Sequence, residues 1–438
     1  MYLSIFHKNI HHQILDNLLP VCYPPITITR YTKHLASFFA NVINNWSVAA
    51  NQNTAALLKT QDLQIAKGTS SFSMIHKMGL VDISVTSSGR LSASDIVNTV
   101  NVRMTDINNT RPYLNNIGSV AHAYAISDIQ SVNGYYATIS TDEQTKKYSG
   151  SFSVTSGKVN SFNTTYDVKI PIDYVAIGNI QSNTKNSSGQ WIINTANNTT
   201  SSGYYWFGRN NFSTYFGDFT KGMTCSDEKK YHVATKQEYV SIVPCISSGT
   251  VSNLYDWDGA KTETEVRFGG MTTDHSYTSY WSRESTNVIY GIRFVGTIYC
   301  SAWRYEWSTD SSIGGGGEIV KVKYLGRSIT TSNATSTLNS SKSYNWNASD
   351  IIIRKFPATG FAVTEGTSAS KEFNKRVRHI AATYVGYNTT YNRDIWWELM
   401  FGFYDSGGYP FAWVEDLNGW HSGTNDPRTV RLFLDENQ

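Results

Sequence analysis

In the stretch YHVATKQEYVSIVP, Tyr231 to Pro244, His232 and Glu238 stand six residues apart. A histidine and a carboxylate are the side chains that general acid–base catalysis uses most. The same residues have a second job. Thr235 followed three positions later by Glu238 is a capping box, and Pro244 closes the run, so ATKQEYVSIVP reads as a helix whose glutamate holds its own first turn. That role accounts for Glu238 without catalysis. Asp256 and Asp258 in DWDG place two carboxylates beside a glycine turn, the best metal candidate in the chain. Calcium takes about six to eight oxygen ligands, and KTETE does not continue the calcium-loop pattern. An Asx-type turn is the safer account of the motif. No nucleophile elbow, zinc-binding helix motif or Walker loop is present. The run GGGGE, Gly314 to Glu318, lacks the Lys-Ser/Thr of a phosphate cradle and reads as a flexible loop.

The tryptophans are the more informative chemistry. Ten of the 12 lie beyond residue 200, among them Trp281, Trp303, Trp307, Trp396, Trp397, Trp413 and Trp420. Flat aromatic faces stack on sugar C–H groups while nearby amides and carboxylates take the hydroxyls. WVEDLNGWHSGTNDP, Trp413 to Pro427, brings Trp413, Glu415, Asp416, Asn418, Trp420 and His421 into one loop-like run. The candidate ligand-binding set is therefore Trp281, Trp303, Trp396, Trp413, Glu415, Asp416, Asn418 and Trp420. Trp396 and Trp397 are adjacent, so on a strand they face opposite ways.

The elements that must carry these residues are strands. Over 438 residues, charged side chains make up 16% and aromatics 13%, with Ser, Thr, Asn and Gly abundant, a mixture that suits short strands and polar turns. The net charge of +3 forms no basic run, which argues against a nucleic-acid partner. No stretch of eighteen apolar residues spans a membrane. Four cysteines, Cys22, Cys225, Cys245 and Cys300, carry no metal-binding spacing; Cys225 and Cys245 are either a pair or two buried thiols.

Residues 1–45 read as an atypical or truncated N-terminal segment without a clean export signal. Between 46 and 180, period-two alternation recurs: Val81, Ile83 and Val85 share a face, and AYAIS, GYYATIS, YSGSFSV and TYDVKIPIDYVAI are strand-like, as in a β-sandwich. His76, on a strand beside Lys77, reads as structural. Residues 181–203 are polar except around Trp191 and read as a junction. From 204 to 438 the pattern is α+β, with GIRFVGTIYCSAW, GEIVKVKYLG, IIIRKFPATGF, WWELMFGFY and TVRLFLDE as strands.

Two families enter on these residues. DLQIAKGTSSFSMIHKMGLVDISV, Asp62 to Val85, resembles the N-terminal domain of bacterial fimbrillin-like surface proteins. CSDEKKYHVATKQEY (Cys225 to Tyr239), SYWSRES (Ser279 to Ser285), RKFPATGF (Arg354 to Phe361) and the closing TVRLFLDE are similar to the FISUMP-type, "major paralogous" domain. Two positions depart from that pattern: Ala234 replaces a proline, and Ser226 the proline after Cys225. The resemblances imply a transthyretin-like β-sandwich followed by a C-type-lectin-like domain.

They also imply a non-enzymatic, exported protein of the cell surface or outer membrane. It would be a tip or accessory subunit, or an adhesin, with other fimbrial subunits and a glycan or protein ligand as partners. Arg30, after ITIT, is the implied processing position. No cofactor beyond calcium at Asp256 and Asp258 is expected. The competing classes are an enzyme on the lectin-like core and a purely structural surface protein. Helix 235–243 also resembles that of formylglycine-generating enzymes, whose late cysteines have no counterpart after Cys300.

Overall fold

The computed structural model describes residues 79–92, 158–196, 204–217, 222–245, 253–416 and 427–435, apart from 88, 211, 363, 367–369, 391 and 405–407, together with strands and single residues between 26 and 155. The chain is mainly β, built from several antiparallel sheets. It divides into two compact units that change over between Asp167 and Val168. No helix among the described residues is long and apolar enough to cross a membrane.

In the first unit a four-stranded sheet runs in the order Val159–Tyr166, Gly79–Ser87, Val120–Ser127, Tyr113–Ile117. Its first pair is parallel and the others antiparallel. Val81, Ile83 and Val85 are fully buried, as their alternation predicts.

Among the described residues the second unit holds three larger sheets and a two-stranded pair, Phe361–Ala362 with Ser370–Lys371. The first takes β1 (Val175–Ile180), β2 (Ile193–Asn194), β3 (Met223–Thr224), β4 (Lys230–Val233) and, from the far end of the chain, a strand at Arg431–Leu434. That last strand sits in the middle, antiparallel to β1 on one side and β4 on the other. Residues 168–196 therefore belong to this unit. The boundary expected at 180 is corrected accordingly: β1 pairs with Arg431–Leu434. Of the junction expected over 181–203, residues 181–196 lie in this unit, where Trp191 bridges Cys225, and 197–203 lie outside the described residues.

The second sheet is an antiparallel meander in sequence order: β5 (Gly259–Val266), β6 (His275–Ser285), β7 (Val288–Arg293), β8 (Ser301–Ser308), β9 (Gly317–Tyr324) and β10 (Ile351–Pro357). Helix α1 (Lys236–Ile242) packs beside β5, and α2 (Ala334–Ser341) covers the opposite face through Leu338, Tyr290, Ile292 and Trp346. The four glycines at 314–317, the last of them the first residue of β9, form a tight turn instead of the flexible loop expected. A Cβ at Gly316 would lie 2.2 Å from the Asn374 carbonyl.

The third sheet is three-stranded, β11 (Arg376–Asn388), β12 (Arg393–Tyr404) and β13 (Tyr409–Asp416). The closing strand Arg431–Leu434 is β14.

Candidate functional site

Helix α1 begins as its sequence dictates. The Thr235 hydroxyl accepts the Glu238 amide at 3.3 Å, and Glu238 Oε2 accepts the Thr235 amide at 2.8 Å. The other glutamate oxygen lies 2.7 Å from His232 Nε2, while His232 Nδ1 lies 2.6 Å from Asp435 Oδ1. Burial disfavours charge on the ring, but Glu238 and Asp435 outweigh it and push the pKa up to about 10. A ring that stays protonated through neutral pH cannot take up a proton as a base. His232 and Glu238 do meet, as a charged clamp holding the end of β14 to α1.

Trp281 and Trp303 are corrected as ligand platforms, because both rings are buried, at 1% and 0% exposure. Each indole N–H is satisfied inside, donating to Ser279 and Ser301 at 2.8 and 2.9 Å. Trp281 lies flat over Gly291, and Trp303 carries the Arg293 guanidinium 4.5 Å from its ring centre. Arg293 also grips Glu263 at 2.9 and 2.7 Å and donates to the Ile242 carbonyl at 2.9 Å. This tie fixes the end of α1 to the meander. Trp307 is likewise buried.

The third sheet gathers most of the remaining candidates. Register pairs Glu398 with Glu415, Met400 with Trp413, Gly402 with Phe411 and Tyr404 with Tyr409, so these eight positions share one face. At one end Tyr404, Phe411 and Trp413 form a row, with ring centres 4.7 Å apart for Tyr404–Phe411 and 4.2 Å for the stacked Phe411–Trp413. Gly402 makes the row possible: its Cβ would sit 2.2 Å from the Phe411 ring. Tyr409 is exposed; Trp413, Glu415 and Asp416 are half-buried.

In the middle of the face Glu398 is fully buried among Arg209, Arg428 at 3.0 Å and Arg378 at 4.0 Å. Burial opposes its charge, yet the three guanidiniums hold its carboxyl below the usual range. For Glu415 burial outweighs the Trp413 indole N–H and the Arg378 charge, and pushes its pKa up to about 7. Trp396 is buried, wedged between Phe212 and Tyr384 at 5.3 and 5.0 Å, and is corrected as a directly exposed platform. On the opposite face half-buried Trp397 lies 3.9 Å beneath the Lys236 ammonium, which pairs with Glu265 at 2.7 Å.

Residues 167–433 match the model of a family described as Domain of unknown function (DUF8237). The chain belongs to that family. The match opens at the changeover between the two units and closes within β14, so the family's span is that of the second unit. No curated protein and no solved structure matches the chain.

Within the DUF8237 unit, the weak metal candidates stay apart from other ligands. Asp256 and Asp258 are exposed, and Asp256 lies 4.0 Å from Arg283. No group of three His, Cys, Asp or Glu side chains that could hold a metal occurs among the described residues. Cys225 and Cys245 are both free thiols, Cys225 buried and Cys245 half-buried. Burial pushes the Cys225 and Cys300 thiols up to about 12, which makes both poor nucleophiles. Arg30, Asn418, Trp420 and His421 lie outside the described residues.

Sequence reasoning missed two features. Beside the Trp191–Cys225 seam a recess of about 340 Å³, at the lower end of ligand-sized cavities, is walled by Trp191, Tyr215, Phe216 and Met223 with Lys185 at its rim. A tryptophan inside an otherwise polar run was its one sequence signal. The second is the exposed tyrosine pair at the outer end of the β11–β12 hairpin, Tyr384 and Tyr387.

Proposed function

We propose that this protein is a non-enzymatic, exported surface protein. In that reading the first unit is a transthyretin-like sandwich of the fimbrillin kind and the second a lectin-like domain binding a glycan or protein. The observation that carries it is the half-buried pair Tyr404 and Trp413, packed on the buried Phe411 ring and flanked by exposed Tyr409 and by Glu415, on one face of a three-stranded sheet. Stacked rings beside a hydroxyl-accepting carboxyl are the chemistry a sugar-binding face needs.

An accessory or tip role fits better than a shaft role. Fimbrial shafts of this kind grow by strand insertion, a form of β-augmentation. Here β14 is buried in the centre of its own sheet and clamped at Asp435 by His232. A strand held that way is not available to a neighbour.

A glycan array probed with the full chain and with Trp413→Ala tests the binding reading. Glycan hits that fall away in the variant are the expected result; an empty array for both would sink it. One feature favours an enzyme instead: Glu415, up to about 7, stands opposite ionised Glu398, as in an acid paired with a carboxylate. Turnover of a bound glycan that disappears in Glu415→Gln would establish that alternative.

A further inference from the structure

The face that carries the aromatic row has a second aromatic end. The β11–β12 ladder slips twice, between Ile380 and Tyr384 and between Tyr384 and Gly386. After those slips Tyr384 stands opposite Trp396 and Tyr387 opposite Asp394. Trp396 and Asp394 are two apart on β12 and share a face, so the two tyrosines do as well. In a regular strand, residues three apart would face opposite ways.

Both rings are open to solvent, Tyr384 at 50% and Tyr387 at 52% exposure, with Val385 between them at 40%. Their hydroxyls are tied back into the hairpin. Tyr384 donates to Asp394 Oδ1 at 3.1 Å, and Tyr387 donates to Asn392 Oδ1. Trp396 supports Tyr384 edge-on from beneath, at 5.0 Å. The hydroxyls are thus anchored while the ring faces stay free. Little side-chain entropy remains to be lost when a ligand stacks on them.

The chemistry of the surroundings selects the ligand. From Ala381 to Asn392 the hairpin reads AATYVGYNTTYN, without one charged side chain. Nothing here would recognise a sulfate, phosphate or uronic acid. Amides, threonine hydroxyls and the Asp394 carboxylate are instead the groups that bind sugar hydroxyls.

We infer that the outer end of the β11–β12 hairpin is a platform for an uncharged polysaccharide, stacked on Tyr384 and Tyr387. The inference rests on the glycan-binding reading of the second unit and assigns it a site separate from the Trp413 row.

Affinity electrophoresis of the full chain through gels holding soluble β-glucan, xylan, mannan or starch tests it, with Tyr384→Ala/Tyr387→Ala and Trp413→Ala beside the wild type. Both tyrosines are exposed, and matching thermal melts establish that the variants fold. The wild type is retarded in at least one gel. The double variant loses about tenfold in apparent association constant, near 1.4 kcal/mol, whether or not Trp413→Ala weakens binding at its own row. If Trp413→Ala alone loses retardation, the platform is overturned and the aromatic row stands. If no neutral gel retards the wild type but an array shows charged glycans bound, the platform again falls while glycan binding survives. A wild-type dimer that the double variant dissociates would assign the tyrosines to a second copy, and that too overturns the inference.

Discussion

Burial lowers the pKa of His379, while two carboxylates raise that of His232 against burial, which gives the second unit a readable pH profile. His379 is fully buried, its Nδ1 3.0 Å from the Thr429 hydroxyl, and burial with nearby Arg431 lowers its pKa well below 6.5. Its neutral form is the folded form. Its contribution to stability is therefore whole above pH 6.5 and declines as acid protonates the unfolded chain below that value. His232, raised to about 10, behaves in the reverse sense: its contribution is whole below 6.5 and is lost as pH rises toward 10. Urea melts across pH 5 to 10 read both. His379→Gln should flatten the acid limb and leave the alkaline one; His232→Gln should do the opposite. A variant that shifts the whole curve without changing either slope would contradict the assignment.

At the scale of elements, α1 and the β12–β13 pair make separable predictions. Thr235→Ala removes one half of the capping box and should cost about 1 kcal/mol in a denaturant melt. Glu238→Gln keeps an acceptor for the Thr235 amide while weakening the hold on His232. Its loss should grow at low salt and vanish once His232 is also replaced, in a double-mutant cycle. In the third sheet Gly402→Ala pushes a methyl into the Phe411 ring. About 1–3 kcal/mol of stability should be lost, with ligand binding on the row weakened beyond that of Phe411→Leu. Helix α1 was legible in sequence because its cap, its glutamate and its stopping proline are local. The alternation of Val81, Ile83 and Val85 was legible for the same reason. The tryptophans were not: whether Trp281 or Trp413 is covered depends on register with strands far along the chain, as does the 203-residue separation between His232 and Asp435. The tyrosine platform depends on two ladder slips that no period reveals.

For the whole molecule, the division between units was misplaced because composition is a poor guide to closure. A run rich in Asn, Ser and Thr reads as a linker, yet Trp191 donates its amide to Thr224 and binds the run into a sheet. What closes that sheet is β14. Arg431, Leu432 and Phe433 are buried, and Arg431 donates to the Ala176 and Lys355 carbonyls at 2.8 and 2.7 Å. Deleting residues 429–438 should leave β1 and β4 without their shared partner. Limited proteolysis should then cut the second unit throughout, and a truncated chain as resistant as the full one would refute this. The same geometry governs timing. A sheet whose central strand lies so far along the chain from β1 and β4 cannot form until β14 itself has been made. Until then β1 and β4 wait without their shared partner while the whole meander, β5 to β10, is made, so this sheet closes late in folding.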